Sequence, residues 1–260
     1  MVRAFLCLAL LFAALSTLAP AAAHPEDEFC TLDGGMDPTL CQALQDIDRA
    51  PSGQLGSPFS QTETIDFERP ALETAALYVT IGVRHILPGG LDHILFVLAL
   101  FFTTLRLRAL LWQISAFTVA HTATLGLVAS GVMSPPASIV EPLIAATIAF
   151  VAVENLIFRD MTRWRPALVF VFGLIHGMGF AGFFGSLGLP SGQFWSALIG
   201  FNIGVEIGQL TVVLVAFVLA WILRKFLLSD AQYRQFIVLP ASGLIALTGL
   251  IWVFERVFAA

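Results

Sequence analysis

Residues 85–98, His-Ile-Leu-Pro-Gly-Gly-Leu-Asp-His-Ile-Leu-Phe-Val-Leu, place two imidazoles and a carboxylate at the start of an unbroken apolar run. Ionisable groups at the mouth of a membrane helix are costly, and they mark pathways or binding sites. More such groups lie further along the chain. His121 stands among Ser115, Thr118, Thr122 and Thr124, and Glu141 opens a third apolar stretch. His176 sits inside a fourth, and Asn202, Glu206 and Gln209 inside a fifth. Imidazole and carboxylate together are a metal-ligand set, with neutral imidazole suiting Zn, Cu, Fe and Ni. The candidate ligands are therefore His85, Asp92, His93, Glu141, His176 and Glu206. His121, Asn202 and Gln209, further polar groups at membrane depth, complete the candidate metal-site residues. No Cys lies beyond Cys41, so none falls in these apolar stretches, which argues against a thiolate site for Cu(I). Glu154-Asn155, close to a cluster of arginines, reads as an interface salt bridge instead of a ligand.

Composition says what must hold these groups. Of 260 residues, 58% are hydrophobic and only 12% charged, far from the ordinary soluble mix. Mean hydropathy is +0.87. The chain reads as an all-α polytopic membrane protein. Residues 1–23 have a short positive start at Arg3, an apolar stretch from Phe5 to Leu18 and Ala21-Ala22-Ala23, the pattern of a cleaved secretory signal peptide. Residues 24–73 follow as a small acidic extracytoplasmic segment, carrying 11 of the 18 acidic residues. Cys30 and Cys41 fall in this exported segment, where a disulfide between them is the simplest expectation. The acidity would attract cations, an effect that weakens as salt rises.

Residues 74–258 form the membrane domain. Leu72 to Val83 is too short to span, and is expected to be an interfacial helix or the outer extension of the first span. Six apolar segments then follow at about 90–105, 109–131, 138–158, 167–188, 195–223 and 236–254, each near the ~20 residues a bilayer core requires. Arg106 and Arg108, Arg159, Arg163 and Arg165, and Arg224, Lys225 and Arg234 occupy alternate loops. The loops around Ser134-Pro135-Pro136 and Leu189-Pro190-Ser191 have no Lys or Arg. By the positive-inside rule both ends of the mature chain lie on the extracytoplasmic side of an inner membrane.

Two segments carry internal geometry. At 100° per residue, Asn202, Glu206 and Gln209 fall within about 60° of one another. Gly200, Gly204 and Gly208 form a stripe on the opposite side, suited to close helix packing. In the fourth segment Gly173, Gly177, Gly179 and Gly182 surround His176 with small residues. Pro88-Gly89-Gly90 is expected to make the chain enter the membrane abruptly.

The run from His85 through Asp92-His93 into Ile-Leu-Phe-Val-Leu resembles the signature of the HupE/UreJ-type hydrogenase and urease accessory permeases. The resemblance extends over about residues 78–258 and includes Gly-Leu-Ile-His176-Gly and Asn202-Ile-Gly-Val-Glu206-Ile-Gly-Gln209. It implies uptake of a divalent transition metal, chiefly nickel, with cobalt in some relatives. By position it assigns metal handling to His85, Asp92 and His93, with Glu141 and His176 as further candidates. Six residues separate His85 from Asp92, one more than the family's usual spacing, and His-Ile stands where His-Pro is usual.

The reading that follows is a metal-ion permease, not an enzyme. The ion is cargo and no cofactor is permanently bound. Capture at His85, Asp92 and His93 would lead inward past His121, His176 and Glu206. No Walker A pattern is present, so facilitated or ion-coupled transport is expected. Two rivals remain: an intramembrane zinc hydrolase with Glu206 as base, and a metal-binding assembly or delivery factor that does not transport. Partners are the metal, the bilayer and a delivery or metalloenzyme-maturation protein outside the membrane. An oligomer is compatible with the sequence, and a nucleic-acid partner is not expected.

Overall fold

The computed structural model describes residues 70–158, 161–179 and 192–258. The signal peptide, the acidic segment up to residue 69 with the expected Cys30–Cys41 disulfide, and the fourth apolar segment beyond residue 179 lie outside the described residues. The helices are α1 (Ala71–Ile86), α2 (Leu91–Thr103), α3 (Leu107–Ala129), α4 (Ala137–Ile157), α5 (Arg165–Gly179) and α6 (Phe194–Phe226). A last helix, α7, runs Asp230–Phe258.

Four helices, α3, α4, α6 and α7, are long and apolar enough to cross a membrane. They coincide with four of the six expected spans. Of the other two, the first differs, and the fourth runs past the described residues. The first expected span, 90–105, is only the 13-residue α2, about 20 Å long at 1.5 Å per residue and short of a ~30 Å hydrocarbon core. It passes as a span only together with α1, and the two are bent by 71° at the Leu87–Gly90 break. The segment 72–83 lies in α1, which precedes α2 as one half of a bent pair. Pro88 lacks an N–H and Gly89-Gly90 favours a turn, so the helix stops there. α5 has 15 described residues, so the described residues hold four spans, or five with the bent pair, against six expected.

The helices associate chiefly as three pairs, α1 with α6, α3 with α5, and α4 with α7. Glycine makes the first two pairs possible. A Cβ on Gly200 would meet the Ala75 carbonyl, one on Gly204 the Val79 carbonyl, and one on Gly208 the Ile86 side chain. The stripe expected to serve packing does so, and its partner is α1. Gly173 and Gly177 are likewise pressed against the Phe117 and His121 carbonyls of α3. Phe150, Ile199, Ile203, Leu214, Leu250 and Phe254 are exposed around the perimeter, as lipid-facing side chains should be. The polar side chains Gln113, His121, Thr147, Asn155, His176 and Gln209 are buried between helices.

Backbone cannot yield where a methyl would strike it. Gly204→Ala should force α1 away from α6 and cost about 1–3 kcal/mol, the usual range for overpacking. A thermal melt of the purified chain in mild detergent would register this as a lowered midpoint.

At the end of the bundle holding Arg106, Arg108, Arg163 and Arg234, one buried node joins four helices. Arg165 is 1% exposed and pairs with Glu154 at 3.1 Å. Its Nη2 donates to Asn155 Oδ1 at 3.3 Å. Asn155 Nδ2 donates to the Ala99 carbonyl at 2.7 Å and to Ser242 Oγ at 3.4 Å, and Thr103 donates to Asn155 Oδ1. Glu154-Asn155 is thus the interface salt bridge expected, with Arg165 as its cation. Within α7, a π-helical turn at Arg234–Val238 precedes Pro240. The wider turn accommodates the proline ring and its missing donor.

Candidate metal centre

The α1–α2 bend sets His85, in the last turn of α1, against His93, in the first turn of α2. Their ring centroids are 4.9 Å apart. A Cβ on Gly90 would strike the His85 carbonyl, so only glycine lets the chain fold back this tightly. His121 of α3 comes in from the side, 5.8 Å from His93 between centroids. His176 of α5 lies 5.2 Å from His93. One potential ligand nitrogen from each of His85, His93 and His121 falls within 4.8 Å of the other two. Four helices thus bring four imidazoles together, three of them around His93.

The second layer orients these rings. His121 Nδ1 stands 3.1 Å from Asn202 Oδ1. The amide is turned this way because Asn202 Nδ2 donates to the Leu198 carbonyl at 2.8 Å. An amide oxygen only accepts, so His121 carries its proton on Nδ1 and leaves Nε2 with a lone pair. His176 follows the same logic. Thr147 donates its single hydroxyl proton to the Ile144 carbonyl at 2.7 Å, so at 2.8 Å it accepts from His176 Nε2. That leaves His176 Nδ1 bare. His93 Nε2, His121 Nε2 and His176 Nδ1 are all buried with no hydrogen-bond partner among the described residues. Buried polar atoms are rarely left so, and two of these, on His93 and His121, belong to the residues whose ligand nitrogens converge with one of His85, as a metal ion would require.

Phe117 lies 5.9 Å from His93, 6.1 Å from His121 and 5.1 Å from His176. Phe201 lies 5.4 Å from His85, and Phe96 lies 5.2 Å from His176. These rings wall the centre with apolar surface. His121 and Asn202 sit about 12 Å inside the ends of their helices at Ala129 and Phe194, at 1.5 Å per residue. The centre is therefore below the mouth of the bundle, not at its surface. An ion bound tetrahedrally at ~2.0–2.1 Å needs its nitrogens about 3.4 Å apart.

The other candidate residues lie elsewhere. Both Asp92 carboxylate oxygens accept from Arg256, Oδ2 from Nη1 at 2.9 Å and Oδ1 from Nη2 at 3.1 Å. Glu141 is exposed at the start of α4, and its backbone carbonyl accepts from Arg256 Nη1 at 3.2 Å. Glu206, half-buried, accepts from Ser115 Oγ at 2.8 Å. Gln209 Oε1 accepts from Thr118 Oγ1 at 3.1 Å. The polar face of α6 thus does meet another helix, pairing rung by rung with α3, but only Asn202 reaches an imidazole. Thr147, Arg256 and the phenylalanine walls were not legible as site residues. Threonine and phenylalanine are ordinary in apolar spans, and Arg256 follows the last apolar segment.

Asn202→Ala removes the acceptor that sets the His121 tautomer while sparing every imidazole. Loss of such an outer partner typically costs 10–100-fold in metal affinity, and a Co²⁺ titration of the detergent-solubilised chain should show a drop of that order.

A family model described as HupE / UreJ protein matches residues 61–256. No curated protein and no solved structure matches the chain. The family match spans all the helices that bear the imidazoles and the turn that joins α1 to α2. The chain belongs to the HupE/UreJ family.

Proposed function

We propose that this protein is an inner-membrane permease for a divalent transition-metal ion, nickel before cobalt or others, with both ends of the mature chain outside. The observation that carries this reading is the group of three ligand nitrogens, from His85, His93 and His121, within 4.8 Å of one another among apolar helices. His176 is the fourth imidazole, and Asn202 and Thr147 set the tautomers. An all-imidazole set suits nickel, cobalt, zinc and copper and disfavours Mg²⁺ and Ca²⁺, which take oxygen ligands. The HupE/UreJ family is associated with nickel and cobalt accessory transport, which ranks nickel first within that group. From the centre, the rungs Glu206–Ser115 and Gln209–Thr118 continue the polar interface of α3 and α6 toward the arginine-rich end. They offer the ion oxygen partners on the way to the cytoplasm.

The test is uptake of ⁶³Ni²⁺ into proteoliposomes holding the purified chain. Influx that saturates with metal and is inhibited by Co²⁺ is expected. Stoichiometric binding without flux would instead establish a binding or delivery factor. Imidazoles bind metal only when neutral, so acidifying the outer medium should slow influx, and a rate that rises with acid would contradict imidazole capture. The hydrolase alternative gains nothing from the geometry. Glu206, its proposed base, is engaged with Ser115 and stands outside the group of three ligand atoms.

A further inference from the structure

Asp92 and His93 are neighbours in sequence, yet they face different surroundings. Successive residues on a helix point about 100° apart. His93 turns to His85, His121 and His176, while Asp92 turns to the far end of α7. There Arg256 grips it with both terminal guanidinium nitrogens, Nη1 and Nη2, at 2.9 and 3.1 Å, the bidentate fork that only arginine can make. The two side chains are 23% and 24% exposed, so the pair is partly withdrawn from solvent. Arg256 is itself held twice more. Its Nη1 donates to the Glu141 carbonyl of α4 at 3.2 Å, and its guanidinium lies 5.3 Å from the centre of the Trp252 ring. α2, α4 and α7 are tied together at one point.

That point lies one residue from His93. A dication on Asp92 would have to sit beside a guanidinium already holding both oxygens, where like charges repel. The same contact gives Asp92 a different task. Gly90 packs directly on the His85 carbonyl, so any shift of the first turn of α2 moves His93 against His85. We propose that Asp92 is a positioning residue and not a metal ligand: paired with Arg256, it fixes the start of α2 so that His93 faces the other imidazoles. Arg256 thereby becomes part of the machinery of the centre, although 164 residues separate it from Asp92. The inference rests on the metal-centre reading above.

The experiment uses the full chain in detergent with Co²⁺ as the probe, because its visible absorption reports ligand type as well as occupancy. Wild type is compared with Asp92→Asn, Arg256→Gln, the double variant and Arg256→Lys. Either single variant should weaken Co²⁺ binding by about 10–100-fold, as loss of an outer partner does. The double variant should bind no worse than the weaker single, because the two residues act as one unit. At saturation all should keep the wild-type spectrum, since every ligand remains. Arg256→Lys should recover part of the affinity, having the charge without the fork. The proposal is overturned if Asp92→Asn alters the saturated spectrum while Arg256→Gln does not, or if Arg256→Gln binds as tightly as wild type. Should a neutral variant fail to fold, Arg256→Lys decides alone: weaker binding with an unchanged spectrum supports the proposal, and undiminished binding overturns it. A wild-type chain with no Co²⁺ spectrum, or a His93→Ala chain that retains it, would overturn the metal centre itself, a separate result.

Discussion

His93→Ala should abolish high-affinity metal binding and bring uptake to background. His93 is the imidazole to which the others converge, with ring centroids 4.9 Å from His85, 5.8 Å from His121 and 5.2 Å from His176. Removing it leaves nitrogens from three helices with no common neighbour, and the apolar wall of Phe117 offers no replacement donor. Because loss of an outer partner alone costs about 10–100-fold, loss of this ligand should cost more than about 100-fold. The measurements are Co²⁺ titration in detergent and ⁶³Ni²⁺ influx into proteoliposomes. The side chain is buried, but the alanine leaves no charge or donor stranded, so the variant should remain folded by circular dichroism. A folded His93→Ala chain that still takes up metal would remove the centre from the transport path.

The largest effect on stability is expected at the opposite end. Arg165→Leu leaves the Glu154 carboxylate, only 7% exposed, without its counter-charge. Removing one partner of a buried pair typically costs about 3–5 kcal/mol, because the remaining charge stays desolvated. Thr162, which donates to Glu154 Oε1 at 2.8 Å, cannot neutralise it. Asn155 would lose a donor as well, loosening the junction of α2, α4, α5 and α7. The thermal midpoint in detergent should fall well below that of wild type. Adding Glu154→Gln to the same chain should restore much of the loss, since no uncompensated charge then remains. A change within the ~0–1 kcal/mol of an exposed ion pair would show that water reaches the node and that it does not hold the bundle.

The two sites differ in how far the sequence announced them. Glu154 stood close to arginines in the chain, and its role as an interface salt bridge followed from proximity alone. His85, His93, His121 and His176 were identifiable as imidazoles in apolar surroundings, and Asn202 as a polar group on one face of its helix. Their convergence was not. His121 and Asn202 lie 81 residues apart, and His176 and Thr147 lie 29 apart. Asp92, Glu141 and Glu206 have the right chemistry for ligands, and the fold places all three outside the imidazole group. The α1–α2 pair shows the same division. Pro88-Gly89-Gly90 marked a break, whereas the 71° turn and the docking of α1 on α6 depend on glycines more than a hundred residues away.

The sequence by itself therefore determined the class of protein, the positions of α3, α4, α6 and α7, and the donor chemistry of the residues between them. These follow from local quantities: the length of an apolar run, the sign of a loop's charge, the donor atom of a side chain. Tertiary structure alone decided which imidazoles share a centre and which carboxylate is taken by Arg256. Hydropathy reports that a helix lies in lipid, but not its rotation about its own axis. That rotation is set by close contacts such as Gly204 on Val79 and Gly177 on His121, and it selects the side chains that meet.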